Sequence, residues 1–223
     1  MTTYPNEMHT FLLKNTNLIE TGSLTDAVET TIFTAINERI AKKLERLLWE
    51  ASYDILNDDE DSSGETWFCP ITWPQRKDGS RLAYYRIAES GKGNDRWLSS
   101  LIGLNKTQTC LELYVDGRLG GPKVKVKERI LEFHTKTPAL HELGFICTDD
   151  GELRLPFSFE AAKLAEEYPD LRKQMLAFEG VFDKLIKGHE LIDKLIKGMT
   201  PETTPKPESK AQAGESKKDE SKK

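Results

Sequence analysis

The sequence predicts an α+β protein: a central antiparallel β-meander of five or six strands, flanked by a long N-terminal helix and a C-terminal helical segment. Three observations predict it. Apolar residues recur every three or four positions toward both ends of the chain, they alternate with period two through the middle, and no long helical pattern separates the alternating runs. Strands that follow one another directly pair antiparallel, because parallel pairing needs long crossover connections. Residues 1–200 read as a single α+β domain, with a helix over 24–56, mainly sheet over 65–159 and helices over 160–199. Residues 201–223 read as a disordered tail.

Residues 1–22 carry no clear period and read as extended chain. Ser23 and Asp26 then stand three apart, the spacing of a helix cap and its reciprocal acid. Val28, Ile32, Ile36, Ile40, Leu44 and Leu47 or Leu48 form one apolar ridge, with Glu38, Arg39, Lys42, Lys43 and Glu45 off it. Trp49 and Tyr53 extend this buried side, and the turn formers from Asn57 to Gly64 end the helix. That acidic run lacks the alternating ligands of a calcium loop.

Period two begins at Trp67-Phe-Cys-Pro-Ile-Thr-Trp73, where Pro70 marks an edge or a bulge. Ala83, Tyr85 and Ile87 face one side of the next strand, and Tyr84 and Arg86 the other. Trp97–Leu104, Thr109–Val115, Lys123–Lys127 and Leu153–Phe159 supply the remaining strands, with a hairpin-like connection over Asp116–Pro122. Ser158 is placed to cap a following helix and Pro169 to open another. Leu171, Met175, Phe178, Phe182, Leu185, His189, Ile192 and Ile196 are then spaced 4-3-4-3-4-3-4. Sustained spacing of this kind marks a helix docked along an apolar partner, whether another molecule or the chain's own N-terminal helix.

The 223 residues carry 32 Lys and Arg against 37 Asp and Glu, and the charge is unevenly spread. Residues 1–63 hold 5 basic and 12 acidic side chains, residues 64–136 hold 13 and 8, and residues 137–200 hold 8 and 12. A basic middle between acidic flanks implies either mutual neutralisation or a positive face for an anionic partner. No apolar run of membrane-spanning length occurs, so no membrane is expected. The start, Met1-Thr-Thr-Tyr-Pro, lacks the pattern of a secretory signal. Cys69, Cys110 and Cys147 are odd in number and widely spaced, which predicts a reducing, cytoplasmic setting.

Signatures of catalysis are missing. His9, His134, His141 and His189 include no helical metal pair, and the set His134, His141, Cys147 has no spacing typical of a metal site. Gly91-Lys-Gly-Asn-Asp95 lacks the rest of a phosphate loop, and no Gly-x-Ser-x-Gly elbow occurs. The Glu-x-Lys triplets that a metal-dependent nuclease would need on paired strands (Glu208, Glu215 and Glu220) lie in the tail. No catalytic residue, metal or cofactor is expected.

The residues therefore predict a non-enzymatic binding protein of interaction or regulatory type. Its first expected site is the stripe Leu171, Met175, Phe178, Phe182, Leu185, His189, Ile192 and Ile196, holding a protein partner or a second copy in a homo-oligomer. The alternative is a nucleic-acid accessory protein using a basic sheet face. There Lys123, Lys125 and Lys127 would stand about 6.8 Å apart on one strand face, beside Tyr84, Arg86 and Tyr114 as stacking platforms.

Overall fold

The apolar ridge near the N-terminus forms a buried helix face as far as Leu44, beyond which Leu47 is partly buried and Leu48 exposed. In the computed structural model, described for residues 6–16, 23–54, 65–90 and 97–200, α2 (Ser23–Leu44) buries Val28, Ile32, Ile36, Ile40 and Leu44 on one side. It ends at Leu44, well short of residue 56. Trp49 and Tyr53 belong instead to strand β1 (Trp49–Tyr53), where the Trp49 ring stacks on Tyr85 at 5.7 Å and on Phe68 at 6.1 Å. Large aromatic rings favour a pleated, half-buried surface over another helical turn. The segment read as extended contains helix α1 (Asn6–Lys14), which buries Leu12 and Leu13. His9 Nδ1 lies 2.9 Å from the Tyr168 hydroxyl and ties α1 to the far end of the chain.

Five more strands complete one sheet: β2 (Thr66–Pro70), β3 (Ala83–Ser90), β4 (Gln108–Val115), β5 (Ile146–Cys147) and β6 (Leu153–Phe157). Every pairing is antiparallel and the order is β1-β2-β3-β4-β6-β5, so the α+β fold and the antiparallel sheet are as expected.

Two expected strands are helical. Trp97–Leu104 contains α3 (Trp97–Leu101), which buries Leu98 and Leu101, and the Glu29 carboxylate accepts the Leu98 N–H at 2.7 Å. A carboxylate there satisfies an orphan donor and complements the positive helix end. Lys123–Lys127 opens α5 (Lys123–Lys136), which follows the short α4 (Gly117–Gly120) where a hairpin was expected. Val126 and Ile130 stand one helical turn apart, and both are buried. Helix α6 (Pro138–Glu142) leads into β5, and after β6 the chain forms α7 (Ala161–Glu167), flanked by Glu160 rather than capped by Ser158. Pro169 follows a cis peptide bond and precedes α8 (Arg172–Met199) instead of lying inside its first turn.

Helix α8 covers one face of the sheet. Phe182 meets Phe68 of β2 with ring centroids 5.3 Å apart, and Phe178 meets Phe157 of β6 at 5.1 Å. Leu171, Met175, Leu185, Ile192 and Ile196 join the same buried cluster, and Arg39–Glu179 (3.0 Å) and Lys43–Asp183 (2.6 Å) bridge α2 to α8. The helix approaches so closely at Gly188 that a Cβ there would lie 2.8 Å from the Phe145 ring. The stripe expected to hold a partner is therefore covered by the chain's own sheet, and α8 packs along the N-terminal helix α2 as well. Leu195 is buried as well and Val181, Ile186 and Leu191 are partly buried, so the apolar face is broader than a two-helix seam requires.

His189 is the one polar member of that stripe. Its Nδ1 sits 3.0 Å from the hydroxyl of the fully buried Tyr85, and the Trp49 ring packs 4.7 Å from it. Burial lowers its pKa below the ordinary 6.5, with the Asp193 charge opposing the shift. The fold thus favours neutral His189, and the unfolded chain takes up the proton first as the pH falls. Its contribution to stability is complete above the ordinary 6.5 and is lost as the pH falls through the lowered folded value. His9 is shifted the same way by burial. Thermal melts from neutral to mildly acidic pH should show a falling midpoint, and His189→Gln should make that fall shallower. Phe182→Ala should cost about 3–5 kcal/mol in urea unfolding, because neither facing ring can fill the gap.

Candidate nucleic-acid interface

Side chains alternate across each strand, so residues between the buried ones point to the other face of the sheet. Cross-strand register brings Tyr84 opposite Tyr114, and Arg86 opposite both Trp67 and Glu112; Glu112 in turn faces Arg154. These side chains form two ladders. In the first, the Tyr84 and Tyr114 rings stack at 4.7 Å, and Trp67 flanks Tyr84 at 5.7 Å. In the second, Arg86 donates to Glu65 (2.7 Å) and to Glu112 Oε1 (2.7 and 2.9 Å). Arg154 donates to Glu112 Oε2 (2.7 Å) and pairs with Glu152 (2.9 Å). Glu112 is only 2% exposed, and each of its oxygens is taken by a different guanidinium.

Helix α5 borders this face. Between them lies a groove of about 500 Å³ lined by Arg86, Glu112, Tyr114, Lys123, Lys127 and Asp150, among others. On the other side of Tyr114 a hollow of about 270 Å³ includes Trp67, Tyr84, Arg76 and Arg81. Gly151 sets how near α5 can lie. Its φ is +76°, and a Cβ there would stand 2.8 Å from the Lys127 Cα, so this turn and the helix touch almost backbone to backbone. Lys127 is held at the groove's rim, 3.6 Å from Asp150.

The alternative set of binding residues is thus partly assembled. Tyr84 and Arg86 line the two hollows, and Lys123 and Lys127 line the groove. The three lysines do not share a strand face, because they belong to a helix. At about 100° per residue, Lys123 and Lys127 point to one side and Lys125 turns away beside Arg129. Arg129, not anticipated from the sequence, emerges once the helix is recognised. The carboxylates that hold the guanidinium groups were also missed, although Glu112 inside the apolar run Cys110-Leu-Glu-Leu113 is the signal that could have shown one.

Charge in the groove is balanced: Arg86, Lys123 and Lys127 against Glu112, Asp150 and Glu152. The excess lies on α5, where Lys123, Lys125 and Arg129 form no ion pair with any described residue. The Arg86 guanidinium also lies 5.3 Å over the Tyr114 ring, a cation–π contact. The tyrosines expected as stacking platforms therefore stack first on each other and under Arg86.

Other candidate chemistry stays apart. Among the described residues no group of three or more His, Cys, Asp or Glu side chains is placed to hold a metal. His134 and His141 stack at 3.9 Å, yet each directs Nε2 to a backbone carbonyl, of Phe145 and of His134 respectively. Burial pushes the Cys69 and Cys110 thiols up to about 12, so both are protonated at neutral pH. The eight stripe residues lie in or against the core on the other face. The acidic run to Gly64, the Gly91–Asp95 loop and the tail fall outside the described residues. No helix among the described residues is long and apolar enough to cross a membrane. No family model matches the chain, and neither a curated protein nor a solved structure matches it.

Glu112 is the keystone of the polar ladder, since its removal takes a shared carboxylate from two guanidinium groups at once and leaves Arg86 only Glu65 and Arg154 only Glu152. Glu112→Ala should destabilise the fold by about 1–3 kcal/mol. Replacing Arg86, Glu112 and Arg154 together by apolar residues should recover much of that loss, as read by urea unfolding.

Proposed function

We propose that this chain is a non-enzymatic binding protein whose ligand is nucleic acid, held along α5 and the adjoining groove. The observation that carries this reading is the placement of three unpaired cations. Lys123, Lys125 and Arg129 crowd the N-terminal half of a helix that has no acidic residue in its first turn. The N-terminal end of a helix is already positive, so Lys123 and Lys125 in the first turn cost roughly 0.3–1 kcal/mol each. Lys123 with Lys127, and Lys125 with Arg129, are further like-charged pairs four apart. A phosphate backbone reverses the sign of every one of these terms.

The groove adds shape to this charge. Arg86 and Tyr114 form its floor, and their positions are fixed by Glu112 and Tyr84 before any ligand arrives. Three thiols without a disulfide, two of them buried, support a cytoplasmic setting. Capture of a protein partner by the Leu171–Ile196 stripe is not carried forward, because those side chains would have to leave the core to reach one.

Fluorescence anisotropy with labelled oligonucleotides tests the reading. Binding through three or four phosphate contacts should weaken roughly 40- to 150-fold between 50 and 200 mM salt. The triple variant Lys123→Glu, Lys125→Glu, Arg129→Glu should abolish binding without lowering thermal stability. Absence of binding at low salt, or binding unaffected by the triple variant, would overturn the proposal.

A further inference from the structure

The two edges of the sheet are unlike. Strand β5 has two residues, whereas β1 has five and no described strand or loop pairs with its outer side. Long edge strands are usually blunted by lysine, proline or a bulge, because their free backbone groups can recruit another strand. Trp49-Glu-Ala-Ser-Tyr53 carries none of these, and its single charge, Glu50, is ion-paired with Arg81.

The direction of the free groups follows from the hydrogen bonds on the paired side. Ile71 N–H donates to the Leu48 carbonyl (3.0 Å) and Asp54 N–H to the Glu65 carbonyl (3.3 Å), while Trp49 faces Pro70 and Tyr53 faces Thr66. In an antiparallel ladder these bonds make Trp49, Ala51 and Tyr53 the positions not hydrogen-bonded to β2. Their N–H and C=O groups point outward.

We propose that β1 is a self-pairing edge: a second copy of this chain adds its own β1 antiparallel, about a two-fold axis at Ala51. This register sets Ala51 opposite Ala51 of the second copy and Trp49 opposite Tyr53 of the second copy. All three positions present outward backbone groups, so every opposed pair can exchange two hydrogen bonds. The intervening positions match as well. Glu50 falls opposite Ser52 of the second copy, so no like charges meet, and Trp49 gains an aromatic cross-strand neighbour. Leu48, 78% exposed, and Ile71, 50% exposed, lie together at the end of this edge and supply apolar surface to cover. The isologous arrangement closes on itself and yields a dimer rather than a filament.

Light scattering on the full chain over a concentration series tests this. The mass should rise to twice that of one chain. Ala51→Pro removes an outward N–H without touching the β2 ladder, and should return the mass to that of one chain. Should Ala51→Pro fail to fold, Ser52→Glu decides: it sets a glutamate opposite Glu50 of the second copy and should also give single chains. Ser52→Lys sets opposite charges there and should preserve the dimer. Amide exchange at Trp49, Ala51 and Tyr53 should slow with concentration in the wild-type chain only. A wild-type mass of one chain at every concentration overturns the proposal, as does a dimer that survives Ser52→Glu.

Discussion

One-sided coverage of the sheet by α8 is the constraint on which the other features depend. Phe178 and Phe182 lie against Phe157 and Phe68, and the large buried apolar side chains Tyr85, Ile87, Leu111, Leu113 and Leu155 face the same way. Because strand side chains alternate, burying one face commits the rest to the other. That second face must then accommodate Arg86, Glu112 and Arg154 near the middle of the sheet. Charges in so shielded a place are tolerable only when paired, which explains why Glu112 spends both oxygens on guanidinium groups.

The same constraint separates two kinds of positive charge. Arg86, Arg154 and Arg81 are fixed by carboxylates and contribute little net field. Lys123, Lys125 and Arg129 on α5 lie outside the ladder and keep theirs. A count of basic residues over 64–136 merges the two populations, and only the ion-pair geometry divides them. Recognition of an anion would therefore rest on the helix for charge and on the sheet for a rigid floor.

How much of this was legible in the sequence depended on how far each period ran. Ridges spanning many turns, such as Val28 to Leu44 and Leu171 to Ile196, were readable because no strand sustains that spacing. What the second ridge packs against was not readable, since an apolar stripe suits another helix, another molecule or a sheet equally. Short runs failed. Lys123-Val-Lys-Val-Lys127 alternates over five residues, yet the helix is decided by Val126, Ile130 and Phe133 packing below it, a tertiary effect that outweighs local alternation. At Leu44 the opposite occurred: apolar residues continue past the helix end, and nothing local distinguishes Trp49 as the start of a strand from another turn of the ridge. The groove was half legible, because it needs α5 and β4 brought together by the turn at Gly151.

Among the described residues, two surfaces depart from what stability alone would select. Crowding cations at the positive end of α5 raises the energy of the folded state, and an outer side of β1 that no described strand pairs invites association. Elsewhere the protein follows the ordinary rules closely: Glu29 satisfies the start of α3, Glu112 is saturated, and the charged residues linking α2 to α8 are matched in sign. Local rules broken at isolated places in an otherwise consistent structure are where function is expected to lie. The two departures also differ in kind. An unpaired cation is relieved by any polyanion and so specifies charge more than shape. A strand edge that no described strand pairs specifies a partner of matching sequence, and the chain itself supplies one.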